Sequence, residues 1–353
     1  MADPAHKETD RLIAETEKRI RAEYEKAHKE IQAKTADYFK RFSAKDKTKR
    51  AQLKAGMITK AEYDQWRVGQ TMIGKRWREM EKTLAADYHN ANKIAMSVAK
   101  EHIPDAYAIN HDYSTFQIEK QSRIDTSYTL YSREAAENLL RDPEQELLPA
   151  PRGRTARLLA ENKDLRWNRQ KINSAILQGI LQGEAITKVA TRLLAVTDMN
   201  CNAAMRNART MYTSAQNRGR LDAMRRASSE YGLKTKKTWM ATLDDRTRPS
   251  HRDLDGVSVD MDDEFPNHME YPGDPKGAPE ELYNCRCTML TEYAGIEKNW
   301  RDIAYRYSDN LGDMSYDEWK KSKIVRSKKQ LAPFKAAEVM RNRYLQEYKQ
   351  PIK

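Results

Sequence analysis

Cysteine is almost absent, with three residues in 353, too few for a disulfide framework. Two of them, Cys285 and Cys287, stand one residue apart; bonding them to each other would close a very small, strained ring. The chain is therefore expected to be made and assembled in a reducing cytoplasm. Long apolar runs are missing too. No stretch approaches the roughly 18 apolar residues of a membrane span, and the opening Met1–Glu8 lacks the basic-then-apolar order of a secretory signal. Membrane spanning and secretion are both disfavoured. A hydrophobic share of 39% beside 33% charged residues is lean for one globular body, so extended helices with narrow apolar seams are expected.

What the chain has in quantity is positive charge, a net +12. Neutralising phosphates releases counterions and gives sequence-independent affinity, so this balance favours a polyanion such as double-stranded DNA. The same lysines and arginines are mixed with acid along the chain, as on the solvated faces of long helices. Composition leaves both readings open.

From Asp10 to about Lys40, Leu12, Ile13, Ile20, Tyr24, Ala27, Ile31 and Tyr38 recur at helical spacings in a background of Glu, Lys, Arg and Gln. After a break near Gly56, Thr59 and Glu62 form a capping box that opens a second long helix through Trp66, Trp77, Leu84, Tyr88 and Ile94. The periodicity dissolves between Ile103 and Leu130, and a short helix is expected from Ser132 to Asp142. Leu148-Pro149-Ala150-Pro151-Arg152-Gly153 denies helix and reads as a linker. Helices resume from Trp167, and Thr197-Asp198 offers a cap for a longer one carrying Cys201 among small apolar residues, where a buried thiol is expected.

Strand signals come only after Gly232, in Lys237–Thr242 and Cys287–Tyr293, which alternate and are rich in β-favouring residues. Pairing them antiparallel brings the loop Asp245–His251 beside Asn284–Cys287. The fold class is a predominantly helical α+β protein, with long N-terminal helices and a C-terminal helical layer on a small antiparallel sheet. Its expected parts are an elongated helical docking region at 1–145, a linker at 146–160, an α+β domain at 161–295 and a basic helical extension at 296–353. That extension carries Lys320, Lys321, Lys323, Arg326, Lys328 and Lys329, candidate contacts to nucleic acid.

The ordered set Lys237-x-Trp239, Asp245-Arg246-x-Arg248-x-x-His251, Gly256, Tyr271-Pro272-Gly273 and Asn284-Cys285-Arg286-Cys287 resembles the C-terminal domain of the Mu F-like head morphogenesis family, the minor head proteins of tailed phages. Met314–Trp319 is similar to the aromatic segment that follows the cysteines in that family, and Asn207–Thr210 to its preceding helix, although Met211 stands where members carry Glu. The resemblance covers roughly residues 165 to 320. It implies a low-copy, non-enzymatic virion protein of a phage or prophage that associates with the portal during assembly. Its partners would be the portal protein, the major capsid or scaffold protein and the packaged double-stranded DNA. It would end inside the capsid and influence DNA packaging or ejection.

Read as chemistry, Asp245 or Asp244, His251, Cys285 and Cys287 are four groups that suit a structural zinc ion, although their spacing is irregular for a zinc module. The alternative is two buried thiols beside a histidine that bonds its loop. Cys285, His251 and Asp245 also match the residue types of an acyl-transfer triad, and Asp253, Asp255 or Asp262 with His251 those of a metal-dependent hydrolase. Neither has an ordered catalytic pattern. The competing functions are thus a DNA-binding architectural protein or a hydrolase carried in the head.

Overall fold

The computed structural model describes residues 3–69, 75–141, 164–181, 186–296 and 308–324. By contact these divide into two compact units: one drawn from Met1–Thr9, Pro104–Leu148 and Thr213–Lys353, the other from Asp10–Ile103 and Pro149–Tyr212. Each unit is assembled from separated stretches, in place of the serial order read from the sequence. The expected linker at 146–160 lies outside the described residues, as do Arg326, Lys328 and Lys329.

The helical unit contains most of α1 (Pro4–Lys54), α2 (Lys60–Val68), α3 (Lys75–Glu101), α6 (Asp164–Leu181) and the first half of α7 (Ile186–Tyr231). The stripe read from the sequence is its seam: Ile20, Tyr24 and Ala27 of α1 pack with Ala91, Ala95 and Ala99 of α3 and with Cys201, Ala204, Met205 and Ala208 of α7. Alanines on the facing helices let the backbones approach closely, as ridges settle into grooves. Two polar pairs cross the seam: Tyr24 donates to Asn92 Oδ1 at 2.6 Å, and Thr16 and Tyr212 share a 2.9 Å bond. Thr59 and Glu62 form the expected capping box at the start of α2. Thr197-Asp198, read as a cap, lies inside the unbroken α7. A local capping option does not end a helix whose packing continues on both sides.

The second unit is the α+β body. Its centre is α4 (Ile103–Ser122), in the stretch where no helix was expected. Ala106, Tyr107, Asn110, His111, Phe116, Ile118 and Glu119 are all buried. A helix covered on every side has no polar face, so the amphipathic period that betrays a surface helix is missing. The helix α5 (Arg133–Arg141) follows. Close approach of α4 to α7 depends on Gly219, where a Cβ would stand 2.4 Å from the Tyr107 carbonyl oxygen.

The sheet has the order β2-β1-β3. The antiparallel pair read from the sequence is β1 (Leu233–Met240) with β3 (Thr288–Ile296), Trp239 opposite Met289 and Lys237 opposite Thr291. The three-residue strand β2 (Ser258–Asp260) adds to the other edge of β1 and was too short to read as a period. Three short helices complete the body: α8 (Pro249–Asp253), α9 (Pro279–Leu282) and α10 (Asn310–Asp313). Residues 316–324 are helical and capped by Ser315, which exchanges bonds with Glu318. No helix among the described residues is long and apolar enough to cross a membrane.

Candidate functional site

The site grows from the end of β1. Asp244 opens the loop: its carboxylate accepts Arg246 N–H at 2.9 Å and both arms of Arg286 at 2.6 and 2.7 Å. The Arg286 guanidinium holds this carboxyl well below the usual range. Pro249 starts α8 with its fixed φ, at the first helical turn where its missing N–H costs nothing. Arg248, just before it, donates to the carbonyls of Glu281 and Tyr283, tying the two loops together.

That short helix turns His251 inward, where it is 1% exposed. Its ring stands edge-on to buried Trp239, centroids 5.2 Å apart, and Trp239 meets Phe265 in the same way at 5.0 Å. Nδ1 lies 3.3 Å from Cys287 Sγ and 3.7 Å from Cys285 Sγ, while Nε2 lies 2.9 Å from a carboxylate oxygen of Glu281. Ser250 donates to that same carboxylate at 3.0 Å. The Cys285 side chain is 1% and the Cys287 side chain 2% exposed.

The backbone around the cysteines is pinned from α7. Thr213 donates to the Cys285 carbonyl at 2.7 Å, and Asn217 to the Cys287 carbonyl at 3.0 Å. Asn284 takes a left-handed φ of 61° to turn the chain, and Cys287 N–H donates to Cys285 Sγ at 3.4 Å. The two thiols are unequal. Hydrogen bonding from Cys285, then from His251 and the Thr242 N–H, pulls Cys287 down. Cys285, which donates to Cys287 and is fully buried, is pushed up.

Among the described residues, the ligand atoms of His251, Cys285 and Cys287 lie within 4.8 Å of one another. Asp245 is not with them; it sits exposed in the turn, and its neighbour Asp244 is taken by Arg286. The triad read from the sequence is not assembled either: the carboxylate facing His251 belongs to Glu281, and the expected nucleophile Cys285 is fully buried. Sequence reading missed Glu281, Thr213 and Asn217. Glu281 was visible only as one of two glutamates before the cysteine turn, with no spacing rule to select it.

The other motif residues have structural places. Gly256, with φ 78°, makes the turn in which its N–H bonds the Trp239 carbonyl. Tyr271 is buried, the Pro272 carbonyl accepts from Asn217, and Gly273 packs against Ser214. Of the basic candidates, Lys321 is exposed and Lys320 lies over the Tyr316 ring at 5.5 Å. Lys323 is a correction: it is 1% exposed and pairs with Glu119 at 2.8 Å and Asp125 at 3.3 Å, because helical phase turns every third or fourth residue of a basic run inward.

A long helical unit and an α+β body with a buried histidine and cysteine knob define the class. Residues 170–290, which include that knob, match the family described as Phage Mu protein F like protein. The chain is 26% identical over 322 residues to the minor head protein GP7 of Bacillus phage SPP1, covering 89% of this chain and 94% of that one. It is also 30% identical over 167 residues to an NAD(+)–arginine ADP-ribosyltransferase, EFV, of Enterococcus faecalis; that stretch is 46% of this chain but 34% of the enzyme. No solved structure matches. Residues 170–290 thus carry a Mu F-like segment, and along nearly its whole length the chain is similar to a phage minor head protein.

Proposed function

We propose that this chain is a minor head protein of a tailed phage or prophage that associates with the portal during head assembly and influences DNA packaging or ejection. The observation that carries the reading is likeness to a minor head protein along nearly the whole of both chains. A role in head morphogenesis and a place in the virion follow from that likeness. Portal docking, a position inside the capsid and contact with coat, scaffold or packaged DNA are the finer parts of the proposal. The long α1, which turns Lys18, Arg21 and Lys29 outward while its stripe is buried, supplies a charged surface for such contacts.

The role is non-enzymatic in this reading. The stretch shared with the ADP-ribosyltransferase is about a third of that enzyme, and the two cysteines beside His251 are buried. The test is mass spectrometry of particles assembled with and without the portal protein. The chain is expected in the complete particles and absent from the portal-less ones. Equal incorporation without portal would overturn the docking assignment. A second reading, DNA architecture, rests on the net charge of +12 and requires salt-dependent affinity of the isolated chain for duplex DNA.

A further inference from the structure

We propose that His251 Nδ1, Cys285 Sγ and Cys287 Sγ bind a zinc ion that staples the α8 loop to the turn before β3, with Glu281 orienting the histidine. The spacing is that of a coordination polyhedron. With Zn–S about 2.3 Å and Zn–N about 2.0–2.1 Å, the nitrogen–sulfur edge of a tetrahedron is about 3.6 Å. The two such edges here are 3.3 and 3.7 Å.

The orientation of the ring is the second argument. Nε2 faces a Glu281 oxygen at 2.9 Å, leaving Nδ1 aimed at both sulfurs. A carboxylate beside the far nitrogen is the usual outer partner of a metal-bound imidazole; here it stands close to Nε2 without the alignment of a hydrogen bond. Glu281 is itself held by Ser250. Backbone N–H donation to Cys285 Sγ supports a ligating sulfur. A bond between the two cysteines instead would strain the three-residue turn, and all three are free thiols.

Position gives the role. His251 and the cysteines lie 34 and 36 residues apart, on two loops also joined by Arg248, Arg286 and the Ser250–Glu281 bond. No fourth His, Cys, Asp or Glu joins the cluster among the described residues; the fourth vertex is left to water. With all three ligands buried, the ion acts as a structural cross-link inside the small apolar cluster of Trp239, Leu254, Phe265 and Met269.

Zinc content is read on the isolated full-length chain, separately from particle assembly. Purified under reductant, the chain is expected to carry about one zinc, unchanged in Cys201→Ser and lost in Cys287→Ser. Cobalt(II) added to the demetallated chain is expected to give sulfur-to-metal charge transfer and visible bands of tetrahedral strength. Glu281→Gln removes no ligand and is expected to weaken zinc affinity about 10- to 100-fold, which a merely buried glutamate would not do. A folded, zinc-free chain with no cobalt bands would overturn the site even if Cys287→Ser fails to fold. Unchanged affinity in Glu281→Gln would overturn the role of Glu281.

Discussion

Asn217, on α7, donates its amide N–H to the Cys287 carbonyl at 3.0 Å and with its oxygen accepts Met289 N–H at 3.1 Å. One side chain thus reads both sides of the chain where the cysteine turn becomes β3. The same amide nitrogen also reaches the Thr213 and Pro272 carbonyls. Substituting Asn217→Leu keeps the volume but strands several buried backbone groups, at about 1–3 kcal/mol each. Urea unfolding is expected to show a loss of at least about 3 kcal/mol, and Asn217→Asp, which turns an oxygen towards those carbonyls, a similar loss. A change within about 0.5 kcal/mol, ordinary for a surface site, would remove Asn217 from this role.

Two glycines of the body share a left-handed backbone but not their surroundings. Gly273 has φ 86°, and a Cβ there would stand 2.9 Å from the Ser214 nitrogen; Gly256 has φ 78° and open space around the same position. Gly256→Ala is expected to cost only the conformational penalty, about 1 kcal/mol. Gly273→Ala adds a clash with helix backbone that no rotamer relieves, so its melting temperature falls further. Equal shifts in the two variants would show that the α7 contact is slack.

Lys237 is fully buried on β1, with its ammonium over the Phe265 ring at 5.5 Å and no hydrogen-bond partner among the described residues. Burial, aided by the charge of Arg225, draws it down to about 8. The folded value is below the unfolded one of about 10.4, so the unfolded chain binds the proton more readily. The penalty is present in full below pH 8 and is relieved as pH rises from 8 towards 10. Lys237→Met removes it and is expected to stabilise the chain by about 1–3 kcal/mol at neutral pH. Destabilisation by this change would mean that the amine has a partner that compensates its burial.

How much of this was legible depended on whether a residue's environment repeats along the chain. The stripe Ile20, Tyr24, Ala27 was readable because one face of α1 meets water, and β1 and β3 because they are rich in β-favouring residues. The helix α4 was not, since burial on all sides erases its period. At the site, His251, Cys285 and Cys287 announced themselves by residue type. Which carboxylate faces the histidine did not: Asp244, Asp245 and Glu281 are chemically alike, and only the loop fold gives the first to Arg286, the second to solvent and the third to Nε2.

An internal proton chain makes a second pH prediction. Tyr128 spends its hydroxyl proton on Asp112 at 2.7 Å, so the 2.8 Å bond to His111 must have Nδ1–H as donor. Burial, then the charge of Arg226, draws His111 down to about 3. Its folded value is below the unfolded 6.5, so the stability it contributes is complete above pH 6.5 and is lost as pH falls towards 3. Asp112, raised to about 6 by burial, acts with the opposite sign over pH 6 to 4. His111→Gln keeps a donor for Tyr128 while removing the titration. Its urea midpoint is expected to fall less than that of the parent between pH 6.5 and 4; parallel curves would exclude His111 as a source of acid sensitivity.

Lys323 separates the two readings of the basic segment. It pairs with Glu119, which is fully buried and also receives Trp319 Nε1 at 2.6 Å and the Thr126 N–H and hydroxyl. Lys323→Met leaves that carboxylate without its cation, and breaking a buried pair from one side costs about 3–5 kcal/mol. Adding Glu119→Gln removes the uncompensated charge and is expected to return part of the loss, a coupling that a double-mutant cycle reads directly. Lys321→Ala, at an exposed position, is expected to change stability by less than about 0.5 kcal/mol. If this segment meets DNA, the same Lys321→Ala change lowers affinity and flattens its salt dependence with the fold intact, whereas Lys323→Met does so only by loosening the packing of Trp319. A Lys323→Met chain that melts normally yet loses DNA affinity would place that ammonium at the surface and reverse the assignment.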